Sequence, residues 1–286
     1  AAIPADDVAP PRPGLARRLV SDPGAALALA VVVLVLAAAV FAPWLAPFDP
    51  YDNDLRNTMA EPDTAHWLGT DGQGRDMLSR ILFGLRITLA MGLLSVIAGG
   101  AVGIALGFVA AYYRRLDQPI MRTMDVLLSF PAILVGLALA AVFGPGMEPV
   151  VIAMAVATVP LMARIVRGAA LVVLGQDFIE ACRAVGMTDA RLIWLHLAPN
   201  CLSPIFVFAT LRLGQVILLG SALSFLGLGA QPPSAELGAM ASAGRNFLFL
   251  APHVAVVPSV AIFVVVLAFN VLGDGLRDAL DPRLRV

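Results

Sequence analysis

Apolar residues in this chain come in long unbroken blocks, not in the alternating or striped patterns of soluble strands and helices. A helix needs about 20 mostly apolar residues to cross a bilayer, and six blocks approach that length. The first runs from Ala25 to Leu45 without a charge, and Phe41, Trp44, Phe48 and Tyr51 form an aromatic anchor at its far end. The second lies within Ile87 to Tyr113. The third falls within Val126 to Met147, with Pro131 near its start. The fourth, a short one, covers Pro149 to Arg164, where Arg164 and Arg167 can snorkel to the interface. The fifth runs from Pro204 to Leu226 and is interrupted by Arg212; the sixth lies within His253 to Gly273. Only the residues around Gly144 to Met147 separate the third and fourth blocks, which predicts a helical hairpin. The predicted fold is all-α, a polytopic membrane protein with six transmembrane helices.

The arginines orient it. Arg12, Arg17 and Arg18 precede the first block, as in a secretory signal, but the block outlasts the roughly 7–15 apolar residues of a signal core and reads as a retained helix. With the N-terminus inside, the inner segments also collect Arg114, Arg115, Arg122, Arg164, Arg167, Arg183, Arg191, Arg277, Arg283 and Arg285. The outer segments hold only Arg56, Arg75, Arg80, Arg86 and Arg245. Positive charge concentrates on the cytoplasmic side of membrane proteins, so both termini are expected there. Residues 1–24 then form a cytoplasmic N-terminal segment and residues 25–286 a transmembrane domain. That domain carries an external loop over about 46–86 and a cytoplasmic loop over about 168–200. No internal repeat or low-complexity block adds a further domain. The sequence opens on Ala1 rather than Met, as a processed or trimmed start would.

Composition agrees and removes several chemistries. Hydrophobic residues make up 59% of the 286 and charged residues 14%, where soluble domains carry about a quarter charged. Mean hydropathy is +0.88. A net charge of −1 gives no pull toward nucleic acid. All 19 basic residues are arginine. Without lysine there is no Walker A loop to grip ATP phosphates and no Schiff base, so the chain is not expected to be an enzyme. Cys182 and Cys201 are too isolated for a cluster, and His66, His196 and His253 show no metal-ligand spacing. No metal and no bound cofactor are expected.

Two polar stretches are long enough to carry function. In the external loop, Thr70 or Asp71 is expected to cap a helix running toward Arg86. Met77, Ile81, Leu82 and Leu85 on one side suggest that this helix lies on the membrane surface. The loop serves either as a folded cover over the bundle or as a contact for an external partner; His66, Asp71 and Asp76 are a weak metal triad. In the cytoplasmic loop, Asp177 reads as an N-cap, with Glu180 completing a capping box and Gly186 a left-handed stop. Thr188 or Asp189 starts a second short helix toward His196. Phe178, Cys182 and Val185 share an apolar face that needs covering, either by the chain's own helices or by a soluble partner. Gly99, Gly103 and Gly107 repeat a G-x-x-x-G spacing that lets another helix approach closely, within the chain or in a partner subunit.

The run Glu180-Ala181-Cys182, Gly186 and Pro199 resembles the EAA motif of ABC importer permeases, with Cys182 in place of the usual alanine. His196-Leu197-Ala198-Pro199-Asn200 is similar to the H-I-L-P-N ending of the dipeptide/oligopeptide branch, departing at Ala198. The stretches His66 to Asp71 with Gly74-Arg75-Asp76, Leu223 to Gly229, and Gly273 to Pro282 resemble the same branch in the same order. Together they point to its second, C-type permease subunit, in the type I importer fold and in a bacterial inner membrane. The resemblance implies a permease that forms half of a pathway for dipeptides or oligopeptides, or for a nickel chelate, glutathione or haem. Its implied partners are a homologous second permease, two ABC ATPase subunits (or one two-domain ATPase chain) that bind ATP and magnesium, an extracytoplasmic substrate-binding protein and the lipid bilayer.

Residue by residue, the resemblance places ATPase coupling on Asp177, Phe178, Glu180, Ala181, Cys182, Arg183, Gly186, Thr188 and Pro199. The helix over 177–185 would sit in a groove of the ATPase and pass its motion to the fourth and fifth spans. Arg212 near mid-span is costly in a bilayer and meets either a peptide carboxylate or a structural carbonyl or carboxylate. Gln215 and Ser224 on the same span are candidate pathway residues. A secondary transporter would bury an acidic residue for ion coupling, whereas Asp125 and Glu148 sit near span ends. A membrane enzyme would need convergent catalytic groups, and none converge in the sequence.

Overall fold

The computed structural model describes residues 19–280. The N-terminal segment up to residue 18, with Arg12, Arg17 and Arg18, lies outside the described residues, as do Asp281, Pro282, Arg283 and Arg285. Among the described residues the chain is helical and has no strand. Nine helices of eight or more residues organise the described part: α1 (Pro23–Val40), α2 (Met77–Tyr112), α3 (Arg114–Ser129), α4 (Ala132–Phe143), α5 (Met147–Leu174), α6 (Asp177–Ala184), α7 (Leu202–Phe225), α8 (Leu237–Gly244) and α9 (His253–Leu280). Helices α1, α2, α5, α7 and α9 are each long and apolar enough to cross a membrane. The pair α3–α4 makes a sixth span only if it is counted as one broken element.

That break gives the predicted third span its shape: it is a bent pair and not one straight helix. α3 and α4 meet at an angle of 82°. Pro131 has no N–H and disfavours helical geometry in the residue before it; Phe130 is extended, with φ −90° and ψ 124°. α4 itself has only 12 residues, about 18 Å of rise, so the non-helical residues flanking it, Phe130 and Gly144, are part of the path between the end of α2 and the start of α5. The fourth span is longer than expected, because α5 continues through Arg164 and Arg167 to Leu174. Those arginines do not snorkel alone: Arg164 pairs with Asp125, and Arg167 grips Asp117 through two bonds of 2.5 and 2.6 Å.

The second span corrects another expectation. The segment running to Arg86 is no separate surface helix but the opening turns of α2. Met77, Ile81 and Leu85 are buried in a core shared with α1, α8 and α9. The cap is Asp76, whose Oδ2 accepts from Ser79 N at 2.8 Å, and neither Thr70 nor Asp71. Asp76 is extended at φ −63°, ψ 121°, while Thr70 and Asp71 stand inside the loop.

Among the described residues α2 and α5 share the most extensive helix-to-helix contact, and the glycine repeat explains why. A Cβ on Gly99 would lie 2.3 Å from the Ala155 carbonyl oxygen, on Gly103 2.7 Å from Met162 Cβ, and on Gly107 2.7 Å from Val166 Cβ. The open question of packing within the chain or with a partner is therefore answered: the three glycines serve α5. Between α7 and α9 the chain doubles back through α8, which the apolar blocks do not predict. Gly238 and Gly244 bring α8 against Ser221 of α7 and Ala255 of α9. Glu236, 1% exposed, caps α8 by accepting from Gly238 N and Ala239 N at 3.0 and 2.8 Å, and from the Thr88 hydroxyl of α2 at 3.1 Å.

Candidate coupling and transport sites

Residues 175–201 form a small helical knob at the end of the bundle where α2 and α5 finish. α6 starts one residue earlier than predicted. Gln176 is the N-cap, extended at φ −93° and ψ 144°, and Asp177 is already helical. No side chain closes the cap, so the expected capping box does not form; Asp177 and Glu180 place negative charge in the first turn, where the helix dipole favours it. The stop is as predicted. Gly186 sits at φ +77°, with Gly186 N donating to Arg183 O at 3.0 Å and Met187 N to Cys182 O at 3.2 Å. Those two bonds make a Schellman motif. Thr188, extended, is the N-cap of a short helix over Asp189–Leu192. A wide π-turn over Ile193–Leu197 and a last turn over Ala198–Asn200, holding Pro199, lead on toward α7.

The buried face of the knob differs from the predicted one. Ile179, Leu192 and Leu197 are fully buried, together with Cys201, and pack on Val166, Ala170 and Val173 of α5 and Phe108 and Ala111 of α2. Cys182 is half-buried in the same cluster. Val185, by contrast, is 80% exposed, and Phe178 is exposed as well. The chain's own helices cover Ile179 and part of Cys182, while Phe178 and Val185, with Trp194 and Leu195, remain uncovered. One residue that sequence reading missed, Tyr112 at the end of α2, fastens the knob to that helix. Tyr112 Oη donates to Asp189 Oδ1 at 2.7 Å, and the Arg183 guanidinium lies 5.6 Å from the Tyr112 ring centroid. Glu180, Ala181 and Arg183 face outward.

The opposite end is covered by residues 46–76, and the H-W-L-G-T-D run is its keystone. His66 Nδ1 bonds Asp76 Oδ1 at 2.9 Å, which steadies the cap of α2. Gly69, at φ +74°, leaves no room for a Cβ beside the His253 ring. The buried Thr70 hydroxyl accepts from Ala60 N at 2.8 Å and donates to the Asn57 carbonyl. Asp71 turns toward cations, with Arg75 Nε at 2.7 Å and Arg80 Nε at 3.3 Å, so the weak His66–Asp71–Asp76 triad does not converge. Backbone N–H groups of His66 and Ala65 hold the Asp63 carboxyl below the usual carboxylate range. The loop is thus a folded cover; Trp67 stands out of it, 71% exposed.

Of the mid-span candidates, Arg212 and Ser224 are buried within the chain and Gln215 is exposed. Arg212 reaches across to α5, donating to Thr158 Oγ1 at 3.2 Å and to the Ala157 carbonyl at 3.0 Å. Its Nη1 holds the Gln215 amide oxygen at 3.0 Å.

Residues 103–286 match the family model for the inner membrane component of binding-protein-dependent transport systems. The chain belongs to that family. Residues 15–62 also match the model for the N-terminal transmembrane domain of oligopeptide transport permease C. The glutathione transport system permease protein of Pectobacterium atrosepticum is 47% identical over 273 residues, covering 94% of this chain and 90% of that one. Its counterpart in Escherichia coli O6:K15:H31 is 47% identical over 256 residues, covering 89% and 84%. Among solved structures, an inward-facing form of the MetNI methionine ABC transporter superposes with a TM-score of 0.59 at 20% identity, covering 72% of this permease and 98% of that chain. An amino acid ABC transporter superposes at 0.53, with 20% identity over 68% and 91%. At such identities these two show the fold, that of a type I importer transmembrane domain. The protein is a permease subunit of an ATP-driven ABC importer, a multi-pass protein of the bacterial inner membrane that works with ATPase and substrate-binding partners.

Proposed function

We propose that this permease carries glutathione or another short peptide of similar size, paired with a homologous second permease, and that the knob over 175–201 is where its ATPase docks. The substrate class rests on the glutathione permeases that match nearly the whole chain. The docking role rests on one observation: an eight-residue helix is anchored from beneath by Ile179 while Phe178 and Val185 stay uncovered. An apolar surface held rigidly at the end of a bundle needs a protein partner. The arginine asymmetry supports a cytoplasmic knob and cytoplasmic termini, with residues 46–86 outside, where a substrate-binding protein delivers its cargo. Two ATPase subunits, or one two-domain chain, bind the ATP and magnesium that this lysine-free chain has no loop to hold.

Closure of the ATPase pair would move α6. The Schellman stop and the Ile179 anchor would pass that motion to α5 and α7 as a rigid-body shift. Gln215 is the proposed pathway residue, its amide oriented by Arg212. The test is ATP-dependent uptake of labelled glutathione in cells lacking their own importer, with the neighbouring subunits co-expressed. Glu180→Ala and Gly186→Val should each lower uptake while membrane insertion stays intact. Full uptake in both would refute the docking role, and uptake of a longer peptide with none of glutathione would refute the substrate reading. Arg212→Gln should lower uptake too; unchanged uptake and assembly would remove Arg212 from the site.

A further inference from the structure

We infer that α3 is an in-plane helix that binds anionic phospholipid headgroups at the membrane surface beside the knob. Its two ion pairs to α5 give its direction. Asp117 and Asp125 are eight residues apart, about 12 Å along α3, yet they meet Arg167 and Arg164, only three residues and about 4.5 Å apart along α5. α3 therefore crosses α5 steeply instead of running beside it. The 82° bend into α4 says the same. A helix across the bundle at this depth lies along the bilayer surface and not through it.

Its composition fits that position. Leu116 and Val126 are exposed apolar residues, as is Phe130 at the bend, while Met124 docks into the protein. The two acids of α3 are consumed by Arg164 and Arg167. Arg114, Arg115 and Arg122 are exposed and have no ion-pair partner among the described residues. Arg114 and Arg115 also stand in the first turn, where the helix dipole disfavours positive charge, and no side chain caps that end. Three uncompensated guanidiniums beside exposed apolar side chains complement one ligand class, a phosphate carried on an acyl-chain lipid.

The test is native mass spectrometry of the full-length permease in detergent. It is titrated with phosphatidylglycerol or with phosphatidylcholine of the same acyl chains. Wild type is expected to retain several-fold more phosphatidylglycerol, and the variant Arg114→Gln/Arg115→Gln/Arg122→Gln equal amounts of both. A variant with the same charge removed elsewhere, Arg56→Gln/Arg86→Gln/Arg245→Gln, is expected to keep the wild-type preference. If the triple variant does not fold, Arg115→Gln and Arg122→Gln alone are each expected to reduce the preference. Retention of the preference in all the α3 variants, or its loss in the control, overturns the inference. So does displacement of the lipid by inorganic phosphate, which marks a soluble anion site. So does loss of the preference when the partner subunits assemble, which marks a protein interface.

Discussion

Ile179→Ala is the sharpest probe of the knob, because it changes the anchor without touching the outward surface. Ile179 is fully buried between α6 and the ends of α5 and α2. The substitution removes three carbons, worth about 2.4 kcal/mol at about 0.8 kcal/mol each. Any cavity left behind adds to this, and buried Ile→Ala changes cost about 2–5 kcal/mol. α6 has only eight residues and no capping side chain, so it cannot hold its place by helix propensity alone. A loss of about 3 kcal/mol shifts the docked-to-undocked equilibrium of α6 about 100-fold. In amide hydrogen exchange on the purified permease, protection over residues 180–187 should fall by about that factor, while the Gly99–Gly107 stretch of α2 keeps its own. Glutathione uptake should fall in parallel. Val185→Ala, at an exposed position, is the control and should leave exchange unchanged. If Ile179→Ala also leaves exchange over α6 unchanged, the anchor is not what holds the knob.

Three further outcomes are expected. Gly103→Val should lower the thermal midpoint of the purified permease sharply, by more than about 3 kcal/mol of stability, since it forces backbone and Met162 apart; Gly100→Ala, with Met162 Cε 3.5 Å away, should be tolerated. Glu236→Gln should cost about 1–3 kcal/mol in the same melting assay, because an amide cannot accept from Gly238, Ala239 and Thr88 as the carboxylate does; an unchanged midpoint would dismiss Glu236 as a cap. Tyr112→Phe removes a partly exposed hydrogen bond to Asp189. It should cost about 0.5–1.5 kcal/mol, seen as faster exchange at residues 189–192 with the exchange of α2 unaltered.

Long apolar blocks were legible because the bilayer leaves the backbone few options: a lipid-exposed segment must bond internally, and length alone nearly identifies it. Where a block also contained a local conflict, hydropathy misled. Val126–Met147 is apolar enough to read as one span, yet Pro131 divides it and puts the two parts at a steep angle. The opening of α2 looked like a surface helix because its apolar side was visible and its covering partners, α1, α8 and α9, were distant in sequence. α8 itself was hidden, since its cap, Glu236, is satisfied by Thr88, 148 positions away. At the knob, Gly186 announced the stop correctly, because positive φ is a property of one residue. The buried face was misassigned because two turns of helix offer too few positions to distinguish Ile179 from its neighbours Phe178 and Val185. The glycines of α2 declared close approach but not a partner, which only the facing carbonyls of α5 supply.

Those facing carbonyls carry a mechanical consequence. Two helices meeting side chain to side chain can slip past each other by exchanging rotamers, but α2 and α5 meet backbone to backbone at three successive turns. Sliding either one would first require lifting them apart. The seam therefore behaves as a weld, and this half of the transporter can tilt but cannot shear. If this permease pairs with a second one as proposed, an opening for cargo would form where one half leans away from the other, along a surface that neither chain possesses alone.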